Sequence, residues 1–270
     1  MTTQKKEICW LLQENITSGD DYQRLKQACT DTGVGFEEIT VIPFTDTLPP
    51  VNRSLSYIIY GSITLGRLAA NDPELKKGIF YDEINFSIEN YLSRWGQHML
   101  NYGARLMTLE ELVQEDIDDN KLLFIRPDHD NKSFAGEVKR FAELKKWFTE
   151  LADADRTDLS HHEKLVVAEP WNIRCEWRCW IVNKKVVAAS KYRENFRMKK
   201  EAGCPPEVIA FAERRCDEYT PHAVFVMDIC LCGDEYYIVE CGSMNAAGFY
   251  NADIRPIVAA VTAYFAALPE

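Results

Sequence analysis

Two apolar runs, Ala223–Leu231 and Tyr236–Cys241, flank a short polar break, Cys232–Gly233–Asp234–Glu235. Their valine, isoleucine, phenylalanine and tyrosine content favours strands, so the stretch reads as a β-hairpin. Each strand carries one acid in an apolar setting, Asp228 in FVMDICL and Glu240 in YIVEC. A two-residue loop, Gly233–Asp234, places Glu240 opposite Met227 and sends the carboxylates to opposite faces. A three-residue loop, Gly233 to Glu235, pairs Cys232 with Tyr236 and sets Asp228 beside Glu240. Like charges directly opposite one another are destabilising, and burying them costs more unless a cation lies between. Magnesium takes such oxygens, with waters and substrate phosphates completing its shell. The bland alternative is a hairpin with one acid facing solvent. Gly242–Ser243–Met244–Asn245 follows, small and polar, with the Asn245 amide oxygen available as a further ligand.

The N-terminal part alternates strands and helices. Ile8–Leu12, Phe36–Pro43 and Ser56–Tyr60 read as strands. Asp20–Thr32 has Tyr22, Leu25 and Cys29 on one helical face and ends at Gly33 and Gly35. Ile63–Ala70 reads as a helix behind a Tyr60–Gly61–Ser62 turn that could aim backbone N–H groups at a ligand. Ser87–Gly96 and Thr108–Gln114 are predicted helices, the latter with Thr108 as N-cap and Glu111 three residues on. This pattern implies an α/β lobe with a mostly parallel sheet. The charged break DIDDN at 116–120 marks its expected end, giving a lobe over 1–118, a second unit over 119–170 and a third over 171–270.

After the break, Leu122–Ile125 is a short strand delivering Arg126, followed by a polar loop with Lys132, Ser133 and Gly136. Fixed positive charge and a glycine-containing loop suit phosphate oxygens, although the order is not that of a Walker A loop. As a lone feature it would be a surface loop. Val138–Ala152 reads as an amphipathic helix whose Phe141, Leu144, Phe148 and Leu151 stripe belongs to the core. Leu165–Ala168 is a strand, and Glu176–Val182 with Val186–Ser190 forms a second hairpin around Asn183–Lys184–Lys185. Glu176, Arg178 and Trp180 share one face of that strand. Arg178 therefore needs an anion, and a salt bridge to Glu176 or a cross-strand acid would be the ordinary answer. Lys191 and Arg193 add two cations where the partner strand ends. Pro205–Glu218 and Asn251–Leu268 are the last predicted helices.

Composition narrows the function classes. A chain of 270 residues with 31 basic and 42 acidic side chains carries a formal charge of −11, which argues against a broad polyanion-binding surface. No export signal or membrane span is visible, so a cytoplasmic protein is expected. Nine cysteines without a repeated spacing read as reduced thiols, and no His/Cys set completes a zinc site. His161–His162 lies in a polar loop and reads as solvated surface.

Cations at Arg126, Lys132, Arg178 and Lys191 and acids at Asp228 and Glu240 are what a nucleoside triphosphate with Mg²⁺ requires. Over Leu122–Leu268 the chain resembles the ATP-grasp superfamily, with motifs in that family's order. Leu123–Phe124–Ile125–Arg126–Pro127 is similar to the strand that ends Lys-Pro, here with arginine. Lys132–Ser133–Phe134–Ala135–Gly136 is similar to the small-residue loop over the phosphates. Glu169–Pro170–Trp171–Asn172–Ile173 resembles the adenine-binding hinge. Glu176–Trp177–Arg178 and Val186–Ser190 resemble the hairpin that opens the C-terminal subdomain, and Asp228 and Glu240 match the paired metal carboxylates. Arg126, Arg178 and the AGFY ending resemble a small phage and bacterial clade named for two arginines and a lysine. Where the family has Glu-x-Asn, this chain has Glu240–Cys241–Gly242; either Asn245 substitutes, or a second metal is held more weakly.

The resemblance implies an ATP-grasp fold: an N-terminal α/β lobe, then two α+β subdomains clamping a nucleotide. It implies an ATP- and Mg²⁺-dependent ligase that activates a carboxylate as an acyl phosphate and joins it to an amine or a similar nucleophile such as a thiol. Arg178, Lys191 and Arg193 would be catalytic, and Arg126, Lys132, Ser133, Gly136, Glu169, Trp171 and Ile173 would bind ATP. Asp228, Glu240 and Asn245 would hold metal. The partners would be small-molecule, peptide or protein carboxylates and amines. A kinase acting on a hydroxyl and a nucleotide-binding module without turnover are the alternatives.

Overall fold

In the computed structural model, residues 6–16, 19–42, 45–128, 136–152 and 164–269 are described. The first lobe runs β1 (Glu7–Gln13), α1 (Gly19–Thr32), β2 (Gly35–Ile39), β3 (Leu55–Tyr60) and α2 (Ile63–Ala70). Its three strands form a parallel sheet in the order β2-β1-β3, as the alternation of strands and helices requires. Tyr22, Leu25 and Cys29 of α1 are buried, and Gly33 follows the helix at φ +70°, a conformation that favours glycine.

Next come α3 (Ile88–Trp95), capped by the Ser87 side chain, β4 (Arg105–Thr108) and α4 (Leu109–Val113). Thr108 and Glu111 form a reciprocal capping box on α4. The second unit continues with β5 (Leu122–Pro127), β6 (Glu137–Arg140), α5 (Phe141–Ala152) and β7 (Lys164–Ala168). These strands make a four-stranded antiparallel sheet in the order β4-β7-β5-β6. Two expectations change here. β4 and α4 belong to this sheet and its core rather than to the first lobe, because Leu109 and Leu112 pack with Ile125, Phe141 and Leu144. The polar break at 116–120 therefore lies inside the second unit, not at its edge. The helix expected from Val138 begins at Phe141, because residues 137–140 pair with the otherwise open edge of β5.

The third unit holds β8 (Ile173–Val182), β9 (Lys185–Glu194), β10 (Arg197–Ala202), α6 (Pro206–Glu218), β11 (Val224–Cys232), β12 (Glu235–Gly242) and α7 (Ile254–Ala266). Its antiparallel sheet has the order β10-β9-β8-β11-β12. β10, exposed along its whole length and without apolar alternation, has no sequence signal; the β9 ladder and the pairs Lys191–Glu201 and Lys199–Glu194 hold it.

α6 covers one face of this sheet through Val208, Phe211 and Ala212. α7 lies between the sheet and the first lobe: Ile257, Val258 and Val261 share a core with Trp10, Leu25, Trp180 and Val226. The Trp10 indole N–H donates to Thr262 Oγ1 (3.0 Å) across that contact. All nine cysteines are free thiols, mostly buried. No described helix is long and apolar enough to cross a membrane.

Candidate functional site

A cleft of about 640 Å³ opens between the four- and five-stranded sheets, where the Glu169–Asn172 segment links β7 to β8. Its charged wall is a ladder across three strands. Asp228 of β11 stands opposite Arg178 of β8 on one side and opposite Glu240 of β12 on the other. The hairpin reaches this register by a route neither simple loop provides. The loop is two residues long, with Cys232 paired to Glu235, and the pairing then slips by one between Ile229–Ile238 and Asp228–Glu240. Val239 is the extra residue, and this β-bulge brings both carboxylates to one face.

Each carboxylate in the cleft is met by an arginine. Arg178 donates from Nε and Nη2 to the two Asp228 oxygens, both at 2.8 Å. Arg126, delivered by β5 from the opposing sheet, reaches Glu240 Oε2 at 2.5 Å. Arg193 donates to Glu176 Oε1 at 3.0 Å, and the Tyr192 hydroxyl donates to Oε2 at 2.8 Å. The ordinary reading of Arg178 thus holds in its cross-strand form, with Glu176 taken by Arg193 instead. Tyr250 stacks on Tyr192 at 4.9 Å and places its ring 5.2 Å from the Arg178 guanidinium. Burial pushes the Asp228 carboxyl above its ordinary range, with Arg178 pulling it back and Glu240 adding to the rise. Glu176 is raised for the same first reason, opposed by Arg193 and Tyr192. The Tyr192 phenol is pushed well above its usual range by burial, which keeps its proton in place for Glu176.

Of the expected site residues, Arg126, Gly136, Trp171, Ile173, Arg178, Arg193, Asp228 and Glu240 line this cleft. Lys132, Ser133 and His161–His162 lie outside the described residues. Three others are placed elsewhere. Asn245 is 5% exposed, and its amide joins the lobes: Nδ2 donates to the carbonyls of Ile59 (2.6 Å) and Gly78 (2.8 Å), while Oδ1 accepts from Phe80 N–H (2.7 Å). An amide so committed is a structural staple, and the expectation that it completes the metal site is corrected. Lys191 is held by Glu194 (3.1 Å) and Glu201 (2.6 Å) beside β10 rather than lining the cleft. Glu169 points to solvent and pairs with Lys121 at 2.7 Å. The turn at Tyr60–Gly61–Ser62 has two of its N–H groups engaged within the protein, Gly61 N–H on Asn245 O and Ser62 N–H on Gln13 Oε1. Sequence reasoning missed Asn101, Phe124 and Tyr192 as cleft residues; the last two lie two residues before Arg126 and immediately before Arg193, the one signal that could have found them. A second cavity, about 420 Å³ between Lys6, Arg53, Leu75 and Phe265, contains none of the expected residues.

The donor set fits a triphosphate with one hard cation. No group of three or more His, Cys, Asp or Glu side chains forms a metal cage among the described residues. Mg²⁺ needs no such cage, since one or two carboxylates plus waters and phosphate oxygens suffice. Asp228 and Glu240, paired on adjacent strands, are the carboxylates that could hold it. The arginines that now neutralise them are suited to bidentate contact with phosphate.

The sequence model of the ATP-grasp domain, family 3 of the clade named for two arginines and a lysine, matches residues 77–261. No curated protein sequence matches the chain. Among solved structures, D-cycloserine synthetase DcsG superposes with a TM-score of 0.63 at 8% identity, over 96% of this chain and 99% of that one. A RimK domain ATP-grasp protein from Sphaerobacter thermophilus DSM 20745 gives 0.57 at 10% identity, over 96% and 97%. The ATP-grasp ligase PsnB, complexed with a precursor variant, Mg and ADP, gives 0.55 at 13%, over 98% and 99%. At such identities the likeness is one of fold.

Proposed function

The chain belongs to the ATP-grasp family, within family 3 of the two-arginine, one-lysine clade, and from that premise we propose that it is an ATP-dependent ligase joining a carboxylate to an amine. The observation that carries the reading is the Arg178–Asp228–Glu240 ladder, met from the opposite sheet by Arg126. Cations and acids interleave there on a rigid three-strand platform, the arrangement that transfer of a phosphoryl group uses for positioning and charge neutralisation. The solved neighbours named above include two ligases or synthetases, one of them holding Mg and ADP.

In this reading the arginines exchange partners when nucleotide enters. Arg126 and Arg193 turn from Glu240 and Glu176 to phosphate oxygens, while Asp228 keeps its two bonds to Arg178. Glu240, with the remaining lone pairs of Asp228 beside it, would hold Mg²⁺, which when bound would offset charge on the phosphates. Trp171 and Ile173 pack against the base. A carboxylate oxygen of the substrate attacks the γ-phosphorus, the bond to ADP breaks, and an acyl phosphate forms. The amine nitrogen then attacks the acyl carbon, phosphate leaves with the C–O electron pair, and the amine proton passes to solvent. Arg178, fixed by two bonds and flanked by Tyr192 and Tyr250, stabilises the negative charge that develops in both steps. The substrates are carboxylates and amines of small molecules, peptides or proteins.

Calorimetric titration of ATP with and without Mg²⁺, on the wild type and on Glu240→Gln, tests the reading. Expected is Mg²⁺-dependent binding that the variant loses, followed by ADP release only when both a carboxylate and an amine are supplied. Absence of ATP binding by the wild type overturns the proposal. ADP release with a hydroxyl acceptor alone would make the protein a kinase.

A further inference from the structure

Asn101 sits where the chain leaves the five-stranded sheet for the four-stranded one. Met99 bridges Ile238 in parallel at the outer edge of β12, and Leu100 N–H donates to Ile238 O at 2.8 Å. These bonds anchor Asn101 at the wall of the cleft, and its carbonyl accepts from Ala104 N–H at 2.8 Å. The residue is 1% exposed, yet neither Oδ1 nor Nδ2 of its side chain has a hydrogen-bond partner among the described residues. Buried polar groups are nearly always paired, and one left unpaired in a cleft asks for a ligand. The contrast with Asn245, whose amide is engaged on both atoms, is direct.

The surroundings narrow the ligand. The apolar lining of the cleft is Leu100, Phe124, Trp171, Ile173 and Val239, of which Ile173 and Val239 pack in one cluster with Leu100, the neighbour of Asn101. A flat heteroaromatic ring suits it. A carboxamide presents one acceptor and one donor side by side, and it pairs bidentately with the N6/N7 edge of adenine, whose N6 amino group donates while N7 accepts. Guanine offers two acceptors on the corresponding edge, so one of its contacts would set oxygen against oxygen. Glu169, the acid expected to read the base, is exposed and paired with Lys121 instead.

We propose that Asn101 reads the edge of an adenine base and sets the preference of the cleft for adenine over guanine nucleotides. The inference rests on the reading of the cleft as a nucleotide site and assigns it a selectivity residue from the segment preceding β4. The test titrates ATP and GTP, each with Mg²⁺, into the full chain as wild type, Asn101→Leu and Asn101→Ala. The wild type should prefer ATP. Both variants should lose roughly 10- to 100-fold in ATP affinity with GTP affinity little changed, so the ratio falls toward one. Melting of nucleotide-free Asn101→Leu should be unchanged or higher, since leucine of similar shape removes an unpaired buried amide. An unchanged ATP-to-GTP ratio in a folded variant overturns the assignment, as does failure of both variants to fold, which would make Asn101 structural. A wild type that binds neither nucleotide refutes the ligase reading and this one with it. A wild type that binds ATP with a ratio indifferent to Asn101 refutes this one alone.

Discussion

Replacing both partners of the Arg178–Asp228 pair should harm the fold less than replacing either one. The pair is bidentate at 2.8 Å, with side chains only 15% and 3% exposed. Removing one member of such a pair costs about 3–5 kcal/mol, whereas replacing both by apolar residues of similar volume is often neutral. Arg178→Met leaves a buried carboxyl that can take up a proton, and burial already raises its pKa. Asp228→Leu leaves a guanidinium that cannot lose its charge, whose remaining contacts among the described residues are the Tyr192 and Tyr250 rings and Gly248 O (3.5 Å). Asp228→Leu should therefore be the worse single change, with a cost against wild type of about 3 kcal/mol or more, a fall in Tm of roughly 6–12 °C for a chain this long. The pH dependence separates the two. An acid whose folded pKa exceeds its unfolded one is penalised only where it is ionised, so the cost of Arg178→Met shrinks as pH falls toward 4. The cost of Asp228→Leu has no such relief. The double variant should return to within about 1 kcal/mol of wild type. Urea titrations of the four proteins at pH 7.5 and 5 measure the cycle. Additive single effects, or a double variant less stable than both singles, would refute the reasoning. All three variants should lose Mg²⁺-dependent ATP binding, so regained stability without regained binding marks the pair as functional.

Three further outcomes follow from the geometry. Asn245→Ala strips partners from two backbone carbonyls and one N–H at the lobe contact, a loss of about 3 kcal/mol at roughly 1 kcal/mol each; a tenfold change in Mg²⁺-dependent ATP affinity of the folded variant would instead return Asn245 to the metal site. Burial lowers the His222 pKa, opposed by hydrogen bonding with the Val224 backbone and by Asp82, and Nδ1 accepts Val224 N–H at 3.0 Å. Its folded pKa lies below the ordinary 6.5, so the stability it contributes is present above that pH and is lost as pH falls below it. His222→Asn keeps an acceptor for Val224 and cannot titrate in this range, so its Tm should fall less between pH 7 and 5; an equal fall would exonerate His222. Gly78→Ala would drive a Cβ into the Tyr57 carbonyl oxygen, a backbone clash expected to cost about 3 kcal/mol, and a wild-type melting curve would contradict that packing.

Local chemistry was readable without coordinates. The limits of α2 and the Thr108–Glu111 capping box depend on bonds within a turn of helix, and the parallel first lobe follows from its alternation of strands and helices. Arg126, Arg178, Asp228 and Glu240 stood out because charges in apolar strands need partners. Which partners they take was a tertiary matter. The bulge at Val239 decides that the two acids share a face, and no property of GDE or YIVEC distinguishes a two-residue loop with a slip from a three-residue loop without one. Asn245 carries the same amide whether it binds a cation or two carbonyls; the approach of Ile59 and Gly78, far away in the chain, commits it. β4 joins the second sheet because Arg105–Thr108 meets β7, a pairing across more than fifty residues that a charged break at 116–120 cannot report. Residue types and their spacing determined the kind of chemistry available to this chain. Long-range register and packing, which depend on segments distant in sequence, decided which of those groups face the cleft and which hold the lobes together.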